Sequence, residues 1–105
     1  MSVNKAILLG YVGNDPEVRY PEKGKTITFA SLATKESSPN GLESTEWHNL
    51  VFTGELASIA ERYIRKGTQL YVEGKITTRE YEDRMKIVRK RTEILVNFFE
   101  ILGRK

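Results

Sequence analysis

Gly54–Lys66 is the one stretch of this chain whose apolar side chains recur at helical spacing. Leu56, Ile59, Ala60, Tyr63 and Ile64 make a single buried stripe. Arg65 and Lys66 suit the negative end of the helix dipole, and Gly67 is expected to stop the helix in a left-handed conformation. On both sides the pattern changes to the two-residue period of strands. Val3–Val12 is β-branched and leucine-rich, with Gly10 and Gly13 as bend points. Asn14-Asp15-Pro16 is turn chemistry, Glu17–Tyr20 a short extended piece, and Pro21–Lys25 a second turn. Thr26–Thr34 is a strand with Ile27 and Phe29 on one face and Ala30 and Leu32 on the other. That pattern implies either a bulge near Ala30 or burial on both faces. The polar segment Lys35–Ser44 reads as a mobile hairpin loop. Glu46–Thr53 is the strand before the helix. Gln69–Tyr81 is a long strand after it, and a charged tip at Glu82–Lys86 leads into a last strand from Ile87 to Leu102. Strand, strand, strand, helix, strand, strand in 105 residues is the order of an all-β, five-stranded barrel closed by one helix between the third and fourth strands. No linker or repeat divides it, so residues 1–105 are expected to be one domain.

The strand before the helix holds the only Trp and the only His of the chain, side by side. Trp47, Asn49, Val51 and Thr53 share one face; His48, Leu50 and Phe52 share the other. The second face looks like core. The first sets a large ring among small and polar neighbours, either as a core residue with its N–H at the rim or as a platform for something flat. In the next strand Leu70, Val72 and Ile76 point one way, and Tyr71, Lys75, Thr77, Arg79 and Tyr81 the other.

Charge is distributed unevenly. The chain carries a net +3, but Lys75–Arg91 alone holds seven basic and three acidic residues, an excess of four. A local basic patch interleaved with aromatics is what a single-stranded nucleic acid requires: rings stack on exposed bases of any kind, and cations neutralise phosphates. The absence of Cys excludes disulfides and thiolate metal sites. One His, no Cys and no glycine-rich phosphate loop leave no nucleophile–base pair and no metal-ligand cluster, so neither an enzyme nor a cofactor is expected. No apolar run approaches membrane-spanning length, and Met1–Lys5 lacks signal-peptide features. The expectation is therefore a soluble cytoplasmic protein.

Val3-Asn4-Lys5, Asp15-Pro16-Glu17-Val18-Arg19-Tyr20, Ser31-Leu32-Ala33-Thr34, Thr45-Glu46-Trp47-His48, Lys66-Gly67, Tyr71-Val72-Glu73-Gly74 and Thr78-Arg79, in this order, resemble the bacterial single-stranded-DNA-binding proteins of the OB-fold type. The resemblance covers almost the whole chain. It implies a nucleoid-associated homotetramer, with a dimer as the other possibility, that wraps single-stranded DNA without sequence preference in replication, recombination and repair. It implies base stacking at Trp47 and Tyr81, phosphate contacts at Lys5, Arg19, Arg65, Lys66, Arg79 and Arg89, and a subunit contact at His48. Lys75, on the Tyr81 face, joins the binding set by strand phase. The chain also departs from the family pattern. Thr53 and Ser38 stand where further aromatics are common, Asn49 where Arg is common, and Glu55 where Lys is common. Fewer rings and cations imply weaker binding, with the basic run Arg89-Lys90-Arg91 as the offset. The family usually continues into a flexible tail whose acidic tip recruits replication and repair proteins; the sequence given closes on Gly103-Arg104-Lys105, so either such a tail lies beyond it, with those proteins as further partners, or this is a short variant without one. Two other readings of the same fold compete: a tailless replication-accessory protein of primosomal type, and a protein-interaction module.

Overall fold

The computed structural model describes residues 1–104. Its strands are β1 (Ala6–Val12), β2 (Glu17–Arg19), β3 (Ile27–Ser37), β4 (Glu43–Thr53), β5 (Thr68–Glu82) and β6 (Val88–Arg104), with one helix, α1 (Gly54–Tyr63), between β4 and β5. The five long strands pair in the cyclic order β1-β5-β6-β4-β3, and β1 returns to β3 through Tyr11↔Ala33 and Val12↔Leu32. The sheet is thus closed into the expected five-stranded barrel. β2 is a short ribbon added to the free edge of β3. All long-strand pairings are antiparallel except β4–β6, where Leu50↔Ile94 and Val51↔Leu95 run parallel because α1 and β5 carry the chain back across the barrel. No helix among the described residues is long and apolar enough to cross a membrane.

The core follows the two-residue period. Val12, Leu32, Leu50, Phe52, Leu70, Val72, Ile94 and Val96 face inward, and α1 closes one end with Ala57, Ala60 and Ile64. Phe52 is fully buried and meets Phe99 edge to face at 5.2 Å between ring centroids. Thr28, also buried, donates its hydroxyl to the Ala57 carbonyl at 2.8 Å and ties the helix to β3.

Several boundaries differ from the sequence reading. The helix ends at Tyr63, not Lys66. Ile64 is already extended while its N–H still donates to the Ala60 carbonyl. Gly67 does take a positive φ of 87°, but inside the turn in which Thr68 N–H reaches Arg65, so Arg65 and Lys66 belong to that turn. The buried stripe also shifts: Ile59 and Tyr63 are exposed, and the unforeseen Ala57 is buried. Two alanines let the helix axis lie close to the barrel, so contact is made by small side chains and not the bulky ones. Of the alternatives for β3, the one without a bulge holds. Its register with β4 runs unbroken from Ile27↔Thr53 to Ser37↔Glu43, so Lys35–Ser37 and Glu43–Ser44 are strand and the loop shrinks to Ser38–Leu42. Irregularities lie in β6 instead, where Asn97 is skipped between Gly74↔Val96 and Glu73↔Phe98, and Leu102 between Leu70↔Ile101 and Gln69↔Gly103. β1 begins at Ala6, because Asn4 brackets Ile76 by donating to its carbonyl and accepting from its N–H.

Truncating the central aromatic tests this packing. Phe52→Ala is expected to lower unfolding free energy by about 3–5 kcal/mol, the cost of emptying a well-packed aromatic site, read as a shift of the urea midpoint at constant slope.

Candidate nucleic-acid interface

One outward face of the barrel is built from β4, β6 and β5. Odd-numbered residues of each strand point out where the strands cross it, so Trp47, Asn49 and Val51 stand beside Arg91, Glu93 and Leu95, which stand beside Lys75, Thr77, Arg79 and Tyr81. Trp47 is 58% exposed, while the adjacent Phe52 is in the core and Thr53 leaves the end of the strand bare of any ring. Lys75 and Arg79 are exposed on the Tyr81 side of β5, where the strand period puts them. β5 and β6 continue past the barrel as a two-stranded arm, so Arg79, Tyr81 and Arg89 extend the face beyond the closed part of the sheet.

Trp47 has a specific seat. Its ring lies over Gly13: a Cβ built at Gly13 would come within 2.3 Å of Trp47 Cζ3 and 2.7 Å of Cη2. The bare glycine therefore lets the indole lie flat against the β1–β2 loop. That loop is fixed to β3 by the bonds Gly13 N–H to Ser31 O (3.0 Å) and Ser31 Oγ–H to Asn14 Oδ1 (2.6 Å).

The centre of the face is a single buried carboxylate. Glu93 is 4% exposed and accepts from Arg79 twice, Nε at 2.8 Å and Nη2 at 3.2 Å, while Arg91 Nε lies 3.3 Å away. The Arg91 contact is an ion pair whose angle falls short of a hydrogen bond, leaving Nε–H buried without an acceptor. Arg91 Nη2 donates to Asn49 Oδ1 at 3.0 Å, and Asn49 Nδ2 donates to the Thr92 carbonyl. Arg79 Cζ sits 6.0 Å from the centre of the Tyr81 ring, at the outer range of a cation–π contact. The bonds to Glu93 hold the Arg79 guanidinium above its ordinary arginine value. A continuous chain, Asn49–Arg91–Glu93–Arg79–Tyr81, thus joins the tryptophan strand to the tyrosine strand. By sequence reasoning Arg91 counts only within the basic run Arg89-Lys90-Arg91, with no role of its own, and Glu93 is not singled out. Glu93 lies just outside the basic window, and the only advance signal is an acidic residue at an outward position between apolar neighbours.

The remaining predicted site residues are spread more widely. Arg89 stands opposite Tyr81 but is bound by Asp83 (2.9 Å), whose carboxylate is held below the ordinary range by the Ile87 N–H and then by Arg89 itself. Arg19 pairs with Glu17 (2.7 Å) and lies over Phe29 (5.4 Å). Arg65 turns back to donate to the carbonyls of Glu61 and Ile64, and Lys66 has its backbone N–H on Asp15 Oδ1 (2.9 Å), which docks the post-helix turn onto the β1–β2 loop. Asp15 is therefore a long-range bracket and not the local turn closure its sequence suggested. Lys5 meets Glu73 at 3.3 Å over the β1–β5 pair; Glu73 also accepts from Tyr71, which lowers the Glu73 value and raises that of Tyr71. His48 points away from the Trp47 face, bonds Thr34 Oγ1 through Nε2 at 2.8 Å, and lines a cleft of about 460 Å³ with Ile7, Leu9, Glu36 and Glu46.

The sequence profile of the Single-strand binding protein family matches residues 3–102. A single-stranded DNA-binding protein of Bacteroides thetaiotaomicron is 46% identical across all of this chain and 69% of its own length, and one of Xanthomonas campestris is 43% identical across 96% of this chain and 61% of its own. The chain thus spans roughly two thirds of the length of these relatives. Among solved structures, a Plasmodium falciparum SSB complex with ssDNA superposes with a TM-score of 0.84 at 30% identity, covering 100% of this chain and 97% of that one.

The glycine seat can be tested directly. Gly13→Ala should leave the protein folded, since the clash is with an exposed ring end, yet displace the indole. The expected readout is a shifted Trp47 emission maximum with an unchanged far-ultraviolet circular dichroism spectrum.

Proposed function

The chain belongs to the single-strand binding protein family, and from that premise we propose that it binds single-stranded DNA by base stacking and phosphate neutralisation, in support of replication, recombination and repair. The observation that carries this reading is the continuous outer face on which an exposed Trp47, seated on Gly13, and an exposed Tyr81 flank the arginines gathered around Glu93. Rings stack on bases without regard to identity, and the exposed Lys75 and Arg79 between and beyond them track the backbone. Arg89, Arg19, Lys5, Arg65 and Lys66 extend the path, each from a position where a carboxylate or carbonyl already restrains either its side chain or, for Lys66, its backbone. The role is binding and not catalysis, in the cytoplasm on the nucleoid.

The reading includes self-assembly. Ile7 and Leu9 on the outside of β1, and Phe98 on β6, are exposed apolar side chains on the opposite side of the β1–β5–β6 surface from the core. They and the His48 cleft support a subunit contact, with a homotetramer as the assembly. A tetramer in sedimentation analysis supports this, and a stable dimer supports the primosomal-type alternative.

Two measurements test the binding itself. Titration of oligo-dT monitored by Trp47 emission should show affinity falling with salt, with a log–log slope steeper than about −2. That is the release expected when three or more phosphates of a single strand are neutralised; a slope near zero rejects the reading. Trp47→Ala should lose about 1–3 kcal/mol of binding free energy, the usual worth of one stacking platform, while remaining folded.

A further inference from the structure

Beside the Trp47 platform lies a cleft of about 110 Å³ whose walls are not those of a phosphate site. It is lined by Asn14, Glu17, Phe29, Ser31, Asn49 and Arg91. Ser31 is paired with Asn49 across β3 and β4, and Trp47 is the next outward residue along β4, so the cleft opens at the edge of the ring on which a base would stack. Phe29 supplies an apolar floor. Around it stand polar groups already fixed in place: Asn14 Oδ1 is taken by Ser31, and Asn49 is engaged through both ends of its amide.

Arg91 is the decisive wall. Its guanidinium is clamped between Asn49 Oδ1 at 3.0 Å and Glu93 at 3.3 Å, with its side chain 40% exposed, and among the described residues no partner takes its Nη1. Held on two sides, the guanidinium presents its remaining N–H groups in one fixed direction, which suits a pair of acceptors that occurs at one place. Glu93 and Glu17, the carboxylates near this guanidinium, are themselves paired with Arg79 and Arg19, so the cleft carries little net charge to draw in a phosphate. A neutral base with two acceptors on one edge suits such a site. Building on the reading of the face as a single-strand binding site, we propose that this cleft is a nucleobase subsite in which Arg91 reads guanine, giving the protein a preference for dG at one position of an otherwise sequence-tolerant footprint. Guanine presents O6 and N7 as adjacent acceptors matched to a guanidinium fork, whereas adenine and cytosine place an amino donor, and thymine a methyl group, at that edge. Asn14 Nδ2, a second donor at the rim with no partner among the described residues, and Glu17 Oε2, the carboxylate oxygen left over by the Arg19 pair and an acceptor for the amino edge of guanine, fit the same base.

The test compares oligo-dT with otherwise identical oligonucleotides carrying one central dG, dA or dC, each titrated by Trp47 emission at fixed salt. A single dG is expected to tighten binding at least about fivefold, the lower end of what one bidentate base contact discriminates. Arg91→Lys keeps the charge and loses the fork, and should bring the dG to dT ratio back toward one. Equal affinities for all four oligonucleotides, or a preference for another base, overturn the proposal while leaving single-strand binding intact. A dG preference that survives in a folded Arg91→Lys variant also overturns it. Failure to bind any of the four removes the underlying reading and the proposal together.

Discussion

Closure of the barrel passes through one residue without a side chain. β1 pairs with β5 from Ala6 to Tyr11 and with β3 at Tyr11 and Val12, so the strand must bend to serve both neighbours. It does so at Gly10, where a Cβ would stand 2.1 Å from the Ala33 carbonyl oxygen. That atom is backbone and cannot swing aside. Any larger residue would push β1 off β3, and Ala33 is the partner of Trp47 in the β3–β4 ladder. Gly13, three residues on, carries the indole, and its N–H is bonded to Ser31. The aromatic platform is therefore a consequence of how the barrel shuts. A second close approach is at Gly74, where a Cβ would stand 2.3 Å from the Leu95 carbonyl oxygen, beside the β6 irregularity at Asn97.

The electrostatics of the face depend on a residue of the opposite sign. Counting along the sequence suggests an excess of four positive charges in Lys75–Arg91. In space, Glu93 from outside that window engages two of the arginines and Asp83 from inside it engages a third. Burying a carboxylate costs free energy unless it is paired and hydrogen-bonded, and Glu93 is both. The arginines in return lose freedom but keep N–H groups directed outward. The field is weaker than the count implies, and its geometry more defined.

Strand phase was the legible part of this molecule. Alternation alone places Trp47 outside and Phe52 inside, groups Lys75, Arg79 and Tyr81, and with one amphipathic helix specifies the barrel. The helix end was not legible, because apolar periodicity runs on through Ile64 while the chain leaves the helix there to bury that side chain in an extended turn. Ala57 was missed for a related reason: a stripe of large residues looks like the buried one, yet close packing against the sheet selects small residues. The Asn49–Arg91–Glu93–Arg79 chain was illegible because it joins three strands in a register that no local pattern encodes. The roles of the individual binding residues follow from placement only as far as which groups share a surface.

That surface bears on how the departures from the family pattern should be read. Asn49 stands where the sequence resemblance leads one to expect an arginine, which along the chain reads as a lost cation. In the structure the Asn49 amide receives a guanidinium from the neighbouring strand, so positive charge returns to nearly the same place from Arg91. The two arrangements are not equivalent. An arginine on β4 would have its fork free to follow a moving backbone, whereas Arg91 is held on two sides and pays its ordering entropy on folding, before any ligand arrives. Pre-ordering favours a ligand atom that occurs at one fixed place, such as a base edge, over phosphates that can be met in many positions. Thr53, which carries no ring, acts in the same direction, since few stacking platforms leave a larger share of the binding energy to polar contacts near Trp47. Such a face is expected to be more discriminating than one built of rings and mobile cations.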